Sequence, residues 1–380
     1  MRILPIASGK GGVGKSLVSA NLSIALAQAG EKVVLADLDL GGSNIHMFLG
    51  LRSMEKGIGT FLNSPKIKFE DIIIETEYNN LRFIPGDAEI PGLANIGYAT
   101  KQKLVSKLKA LDCDFLVLDL GAGTHINILD FFLLSGKGII VTTPTLVASL
   151  NAYLFLKNVI FRIMHSVFNK GSNAHKLVNS LKKDVKPIQK FYLHKFLSRL
   201  LDVDPESHEA YLKRVAKFNP RVIVNMLEDP EDSVRADKIR RSSAEYLDIG
   251  IEHLGIIYRD DLQDTALNAR IPILKYKPNS VLSQAIYRIA DKIIHYEGSE
   301  DSPIDIDSIN TSFKIAEMEA EIDFRTKHEF VEELLHCGAL TTGDLIETVK
   351  TQQFEISQLK NENQLLKTKL VKAIKQGFKD

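Results

Sequence analysis

The chain has 380 residues, 44% hydrophobic and 25% charged, ordinary values for a globular protein with room for one large domain or a large domain and an appendage. Its 48 Lys and Arg residues balance 48 Asp and Glu residues, so overall charge argues for neither nucleic acid nor membrane, and any such preference must come from local segments. Cys113 and Cys337 fit no metal spacing, and the apolar start reaches Lys10 too soon for a signal peptide, so a reduced, soluble, intracellular chain is expected.

Short β-branched runs alternate with helical stretches up to about Tyr296. The expected strands are Ile3–Ser8, Lys32–Asp37, Leu81–Ile84, Phe115–Asp119, Gly138–Thr143, Arg221–Asn225 and His253–Tyr258. Val33–Leu35 and Phe115–Leu118 are almost wholly apolar, as in a parallel sheet covered on both faces. Helices expected at Lys15–Ala29, Lys101–Leu111 and Ser280–His295 supply the crossovers. The expected fold is α/β, doubly wound, with a mostly parallel sheet and sites at the carboxyl ends of its strands. The longest uncharged run, Gly138 to Leu156, contains Thr142, Thr143, Pro144, Thr145, Ser149 and Asn151, which suit a strand, a loop and a helix start better than a membrane span.

Residues 151–220 break the rhythm, with no strand signal and a helical, basic composition. Between Lys157 and Arg199, ten basic residues (Lys157, Arg162, Lys170, Lys176, Lys182, Lys183, Lys186, Lys190, Lys195 and Arg199) face one acid, Asp184. Either a helical insertion carries a solvated basic face, or the segment meets an anionic surface of DNA phosphates or lipid headgroups. Phe161, Phe168, Phe191 and Tyr192 suit a core better than base stacking. Beyond Tyr296, nine acids from Glu297 to Asp323 face only Lys314, with Ser and Pro interspersed early, so 297–323 reads as an acidic linker, disordered to about Ser312. A helical tail, 324–380, is expected to follow: Phe324–Leu335, a turn at Gly338 to Gly343, and a long helix from Asp344.

Gly9-Lys10-Gly11-Gly12-Val13-Gly14-Lys15-Ser16 follows the first strand and opens the first helix, satisfying G-x-x-x-x-G-K-[ST] in the required context. The glycines let backbone N–H groups close around phosphate oxygens, and the helix N-terminus adds partial positive charge. Lys15 is expected to reach the β- and γ-phosphates of ATP and the Ser16 hydroxyl to ligate Mg²⁺. Leu35-Ala36-Asp37-Leu38-Asp39 places two carboxylates at the sheet edge, either at the site or capping a turn. Phe115-Leu116-Val117-Leu118-Asp119 is an apolar strand ending in an acid.

The form Lys10-Gly11-Gly12-Val13-Gly14-Lys15-Ser16 resembles the deviant Walker A motif of the MinD/ParA superfamily of P-loop ATPases. The resemblance covers roughly residues 1–296 and extends to Asp37–Asn44 and Asp119–Gly123, which look closest to the MinD-like flagellar-number regulators of the FlhG or FleN type. It implies a SIMIBI-like P-loop fold, with residues Gly9 to Leu17 around the phosphates, and a slow, partner-stimulated ATPase that forms an ATP-sandwiched homodimer. Lys10 then crosses the interface to the partner's nucleotide. Asp39 orients the attacking water, Asp37 and Asp119 lie at Mg²⁺ (Asp119 through water), Gly121 and Gly123 belong to a mobile switch, and Asn225 reads the adenine. Pro272 to Ser280 resembles the family's late loop near the base.

Two departures stand out: the chain begins directly at its first strand, without the N-terminal extension by which many such regulators stimulate a partner GTPase, and the tail is longer than expected. Ile356, Leu359, Asn363, Leu366, Leu370 and Ala373 alternate three- and four-residue spacings, a coiled-coil seam with an asparagine at an a position. Over 365–380, Leu366, Leu370, Ala373, Ile374 and Phe378 share a face ringed by lysines, similar to the membrane-targeting helix of MinD-type ATPases, which implies peripheral attachment to the inner face of the cell membrane. The leading expectation is an ATPase switch for spatial or numerical regulation at the cytoplasmic membrane, with flagella the resemblance-based candidate. The alternatives are a ParA-type partition ATPase holding DNA through 157–199, and a nucleotide-binding adaptor without hydrolysis, against which Lys10 and Asp39 argue. No tyrosine follows Tyr296, unlike the bacterial tyrosine kinases, and no cysteine lies between Cys113 and Cys337, unlike the iron–sulfur reductases of the superfamily.

Overall fold

The computed structural model describes residues 1–39, 42, 44–52, 54, 56–86, 96–183, 192–295 and 306–336, with isolated positions at 341, 343, 346, 350 and 353. The chain divides into two units, Met1–Asp323 and Phe324–Asp380.

In the first unit, β1 (Arg2–Ser8), α1 (Lys15–Gln28) and β2 (Val33–Leu38) are followed by short helices α2 (Ile45–Phe48) and α3 (Ile58–Asn63). Then come β3 (Ile74–Glu75), β4 (Leu81–Ile84), α4 (Tyr98–Lys109), β5 (Phe115–Ala122), α5 (Ile126–Phe132) and β6 (Ile139–Thr142). Helices α6 (Leu146–Val167), α7 (Asn173–Lys183), α8 (Leu193–Val203) and α9 (Pro205–Val215) form the insertion. The chain returns through β7 (Arg221–Leu227), α10 (Ser233–Leu247), β8 (Glu252–Tyr258), α11 (Leu262–Asn268), α12 (Ile273–Tyr276), α13 (Val281–Ile294) and α14 (Ile306–His336).

Among the described residues, eight strands form one sheet in the order β3-β4-β2-β5-β1-β6-β7-β8. Every neighbouring pair is parallel except β3 with β4. All six residues of β2 are buried, and seven of the eight in β5, because helices cover both faces. In the register of β2 with β5, Asp37 lies opposite Asp119, so both strands deliver an acid to the same point of the carboxyl edge.

The uncharged run resolves into β6, a loop and the start of α6. Helix α6 is long and apolar enough by composition to cross a membrane, yet half of its most apolar window is buried inside the fold. Thr145 caps it, its hydroxyl accepting from the Ala148 N–H. Its buried face, including Phe155, Val159 and Ile163, packs against α5, α9 and α10. Phe168 is core, beside the Tyr211 ring.

The insertion is less basic on its surface than in its composition. Lys157 is 2% exposed, and burial pushes its amine down to about 8. Arg162 is tied to Asp130. Lys170, Lys176, Lys195 and Arg199 are exposed, while the side chains of Lys182, Lys183, Lys186, Lys190 and Phe191 lie outside the described residues.

The acidic linker is corrected. Residues from Ile306 onward are helical, and α14 runs unbroken to His336 through the boundary expected at residue 324. Ile309, Phe313, Ala316 and Ala320 recur at helical spacing and are buried. Two acids that composition marks as solvated have basic partners on α13: Glu319 pairs with Lys292, and Asp323 with Arg288. The Tyr258 hydroxyl donates to the Ala320 carbonyl at 2.9 Å, fastening the helix to the edge strand β8. Residues 297–305, the turn from Gly338, the 356–373 seam and the basic 365–380 end lie outside the described residues.

Candidate functional site

The phosphate loop spans the gap between the end of β1 at Ser8 and the first residue of α1, Lys15. Gly12 and Gly14 have φ of 79° and 81°, the left-handed region that L side chains avoid. A Cβ on Gly14 would also stand 2.2 Å from Asn225 Nδ2, so the loop closes only with glycine there. No side chain caps α1 and no acid sits in its first turn, so its N–H groups and partial positive charge are left for an anion. Val13 and Leu17 anchor the loop by burial.

The polar centre forms around Asp119, 1% exposed. Lys15 Nζ lies 2.9 Å from Asp119 Oδ1. The Ser16 hydroxyl donates to Oδ2 at 2.8 Å, and the Ser19 hydroxyl to Oδ1 at 2.7 Å. Beside it, Asp37 accepts the backbone N–H of Asp39 at 3.0 Å and of Ile45 at 3.4 Å, so this buried carboxylate also shapes the turn leaving β2. Asp39 is half-buried, its Oδ1 3.3 Å from where a Cβ on Gly121 would sit, which fixes the carboxylate close against the end of β5. Leu40, Gly41 and Ser43 lie outside the described residues.

The fold thus gathers Lys15, Ser16, Asp37, Asp39 and Asp119 at one edge. Lys10 stands apart: it is exposed on the rim of a cleft of about 350 Å³, lined also by Gly11, Gly12, Val13, Thr143, Pro144, Thr145, Met226, Glu228 and Arg259. Asn225 is buried, and its Nδ2 donates to the Val13 carbonyl at 2.9 Å, so in this structure it braces the phosphate loop. The strand bulges just beyond it, and Met226 takes a φ of 61° in the cleft wall.

Two features were not foreseen from sequence. Ser19 follows Lys15 by four residues, a spacing that puts both on one helix face and could have flagged it. The second is a clamp on α5, the helix following Gly121 and Gly123. Asp130 pairs with Lys101 of α4 and with Arg162 of α6, and Lys101 also donates to Asn127 Oδ1 at 3.1 Å. These partners come from three helices, and no local pattern links them. Gly123 ties back to the loop, its N–H donating to the Ser8 carbonyl at 3.0 Å.

Asp119, Asp37 and the Ser16 hydroxyl offer hard oxygens, the set that suits Mg²⁺ beside a phosphate-binding loop. A glycine-rich loop between a central parallel strand and an uncapped helix, with a buried lysine and an acid on the neighbouring strand, defines a P-loop NTPase fold.

Comparison narrows the class. Residues 1–170 match the ParA family model described as "NUBPL iron-transfer P-loop NTPase". The flagellum site-determining protein YlxH of Helicobacter pylori is 27% identical over 295 residues, 77% of this chain and 82% of that protein. The septum site-determining protein MinD of the same organism is 30% identical over 196 residues, 48% of this chain and 68% of that protein. Among solved structures, MinD of Pyrococcus horikoshii complexed with Mg-ADP superposes with a TM-score of 0.53 at 23% identity, over 79% of this chain and 98% of that one, a likeness of fold. The chain belongs to the ParA/MinD family of P-loop NTPases.

Proposed function

We propose that this protein is an ATP-driven switch: it dimerises on binding ATP, hydrolyses it slowly under stimulation by a partner, and regulates the site or number of a cellular structure at the cytoplasmic face of the membrane. The observation that carries the proposal is the convergence of Lys15, Ser16 and Asp119 beneath an uncapped helix N-terminus, with Lys10 exposed on the adjoining rim.

In this reading, the backbone N–H groups of Gly9 to Leu17 hold the phosphates and Lys15 leaves Asp119 for the β- and γ-phosphates. Ser16, Asp37 and Asp119 would hold Mg²⁺, which would supply positive charge against the transferred phosphoryl group. Asp39 orients the attacking water. Lys10 reaches the nucleotide of a second copy, supplying a cation where charge develops. Asn225 both braces the loop and meets the adenine.

The names of the H. pylori relatives, a flagellum site-determining and a septum site-determining protein, support a positioning role. The basic amphipathic end, 365–380, would attach the dimer to anionic lipid, weakly as one copy and much more firmly as two. For the DNA-partition alternative, Lys157 is buried and Arg162 is paired, which leaves Lys170, Lys176, Lys195 and Arg199 as the exposed basic groups of 157–199 among the described residues.

The test is the molar mass of the full-length protein in solution with Mg-ATP and with Mg-ADP, on an Asp39→Ala background that holds ATP. A doubled mass with ATP alone, lost on Lys10→Ala, is expected. A single mass under all conditions contradicts the proposal.

A further inference from the structure

Asp119 has three donors from its own chain: Lys15 and Ser19 on Oδ1, Ser16 on Oδ2. They have different futures if the site binds Mg-nucleotide, the reading on which this inference rests. Lys15 turns to the phosphates and Ser16 to the metal, each exchanging a carboxylate for a new partner. Ser19 gains no partner from the nucleotide or its metal. It is fully buried within α1, one turn beyond Lys15. Its hydroxyl also lies 3.0 Å from the Lys15 carbonyl, but it has one proton, and the shorter contact is to a carboxylate, the stronger acceptor.

The departure of Lys15 also changes the electrostatics. Asp119 stands opposite Asp37 in the register of β5 and β2, so until Mg²⁺ arrives the departure of the Lys15 ammonium leaves two acids at one point of the sheet edge and one donor fewer to set the rotation of Asp119. A fixed donor on Oδ1 opposes free rotation and would keep Oδ2 on the Ser16 side, toward the hydroxyl that would hold the metal.

We propose that Ser19 is the positioning residue of the metal site, holding the Asp119 carboxylate in its metal-facing orientation after Lys15 and Ser16 have turned to the nucleotide. Partners of this kind, which orient a metal's carboxylate without touching the metal, typically change metal affinity 10–100-fold when removed. The effect is confined to metal: a donor lost from Asp119 leaves the backbone cradle of Gly11 to Gly14 intact.

The test is binding of a fluorescent ADP analogue by the full-length protein and by Ser19→Ala, titrated with Mg²⁺. The variant is expected to need about tenfold more Mg²⁺ for half-maximal binding and to recover the wild-type nucleotide affinity once Mg²⁺ saturates. An unchanged Mg²⁺ midpoint overturns the proposal. So does a loss of affinity equal at every Mg²⁺ concentration, which marks a purely structural role. Should the alanine protein fail to fold, Ser19→Cys, close in size with a much weaker donor, carries the same comparison. If the wild type binds no nucleotide, the reading of the site falls and this inference falls with it; a shifted wild-type curve that Ser19→Ala leaves in place defeats this inference alone.

Discussion

The phosphate-loop edge and the β8–α14 edge both set acids against bases, but to opposite ends. At the loop, Asp119 is engaged by three donors, and two of them are the groups a nucleotide and its metal would claim. On the proposed reading, two of those contacts are exchanged when nucleotide binds. At the other edge, Glu319 and Asp323 meet Lys292 and Arg288 over an apolar face, and among the described residues no phosphate-binding loop adjoins them. Those contacts fasten a helix. On the proposed reading, acids alike in sequence serve as an exchangeable contact in one place and a fixed clasp in the other, and the difference lies in what else can bind their partners.

The largest effect should come from breaking the clasp at its apolar part. Phe313 is buried against the His253 ring, so Phe313→Ala is expected to cost about 4 kcal/mol and to expose α14 to protease. Limited proteolysis beside a denaturant melt checks both. Glu319→Gln should do far less, because its pair with Lys292 is partly solvated.

The exchangeable side is probed by Asp119→Ala, which leaves the Lys15 ammonium buried without its carboxylate. A loss of about 3 kcal/mol is expected in ligand-free protein, read from chemical denaturation. Stability close to that of the wild type would contradict the buried pair.

Acid sharpens the comparison next. Burial, and secondarily the Lys292 charge, push the His253 imidazole down to about 3, and its Nδ1 has no hydrogen-bond partner among the described residues. The folded state therefore refuses a proton that the unfolded chain accepts below about pH 6.5. Stability should fall as pH drops through that window, by roughly 2 kcal/mol at pH 5, and His253→Phe should flatten this part of the profile. A profile unchanged by the substitution would contradict the assignment.

The smallest effect concerns the brace on the loop. Asn225→Ala removes the hydrogen bond to the Val13 carbonyl, and a cost of about 1 kcal/mol is expected by thermal melt, with a larger penalty on nucleotide affinity. An unchanged melt would make Asn225 a base-reading residue only.

The central sheet was legible because each strand is a short apolar run with a defined end, and Leu81–Ile84 falls where its pattern predicts. β3 was missed: two residues pairing antiparallel on an edge carry no periodicity. The loop was legible because its glycines and lysine are required by backbone geometry, whereas the partner of Ser19 lies on a distant strand and the Asp130 clamp joins helices brought together only by folding. The acidic stretch misled for the converse reason. Its charge was counted while its apolar positions, Ile309, Phe313, Ala316 and Ala320, went unread as a helix face. Lys157 misled in the same way, since composition counts a lysine as surface and α6 buries it.

The most direct test of a nucleotide-exchanged switch is phosphate release from Mg-ATP by the wild-type protein and by Lys15→Ala. Slow release by the wild type, abolished in the variant and rising with protein concentration as dimers form, is the predicted result. Release that persists without Lys15, or that is absent from the wild type at every concentration, would contradict the account.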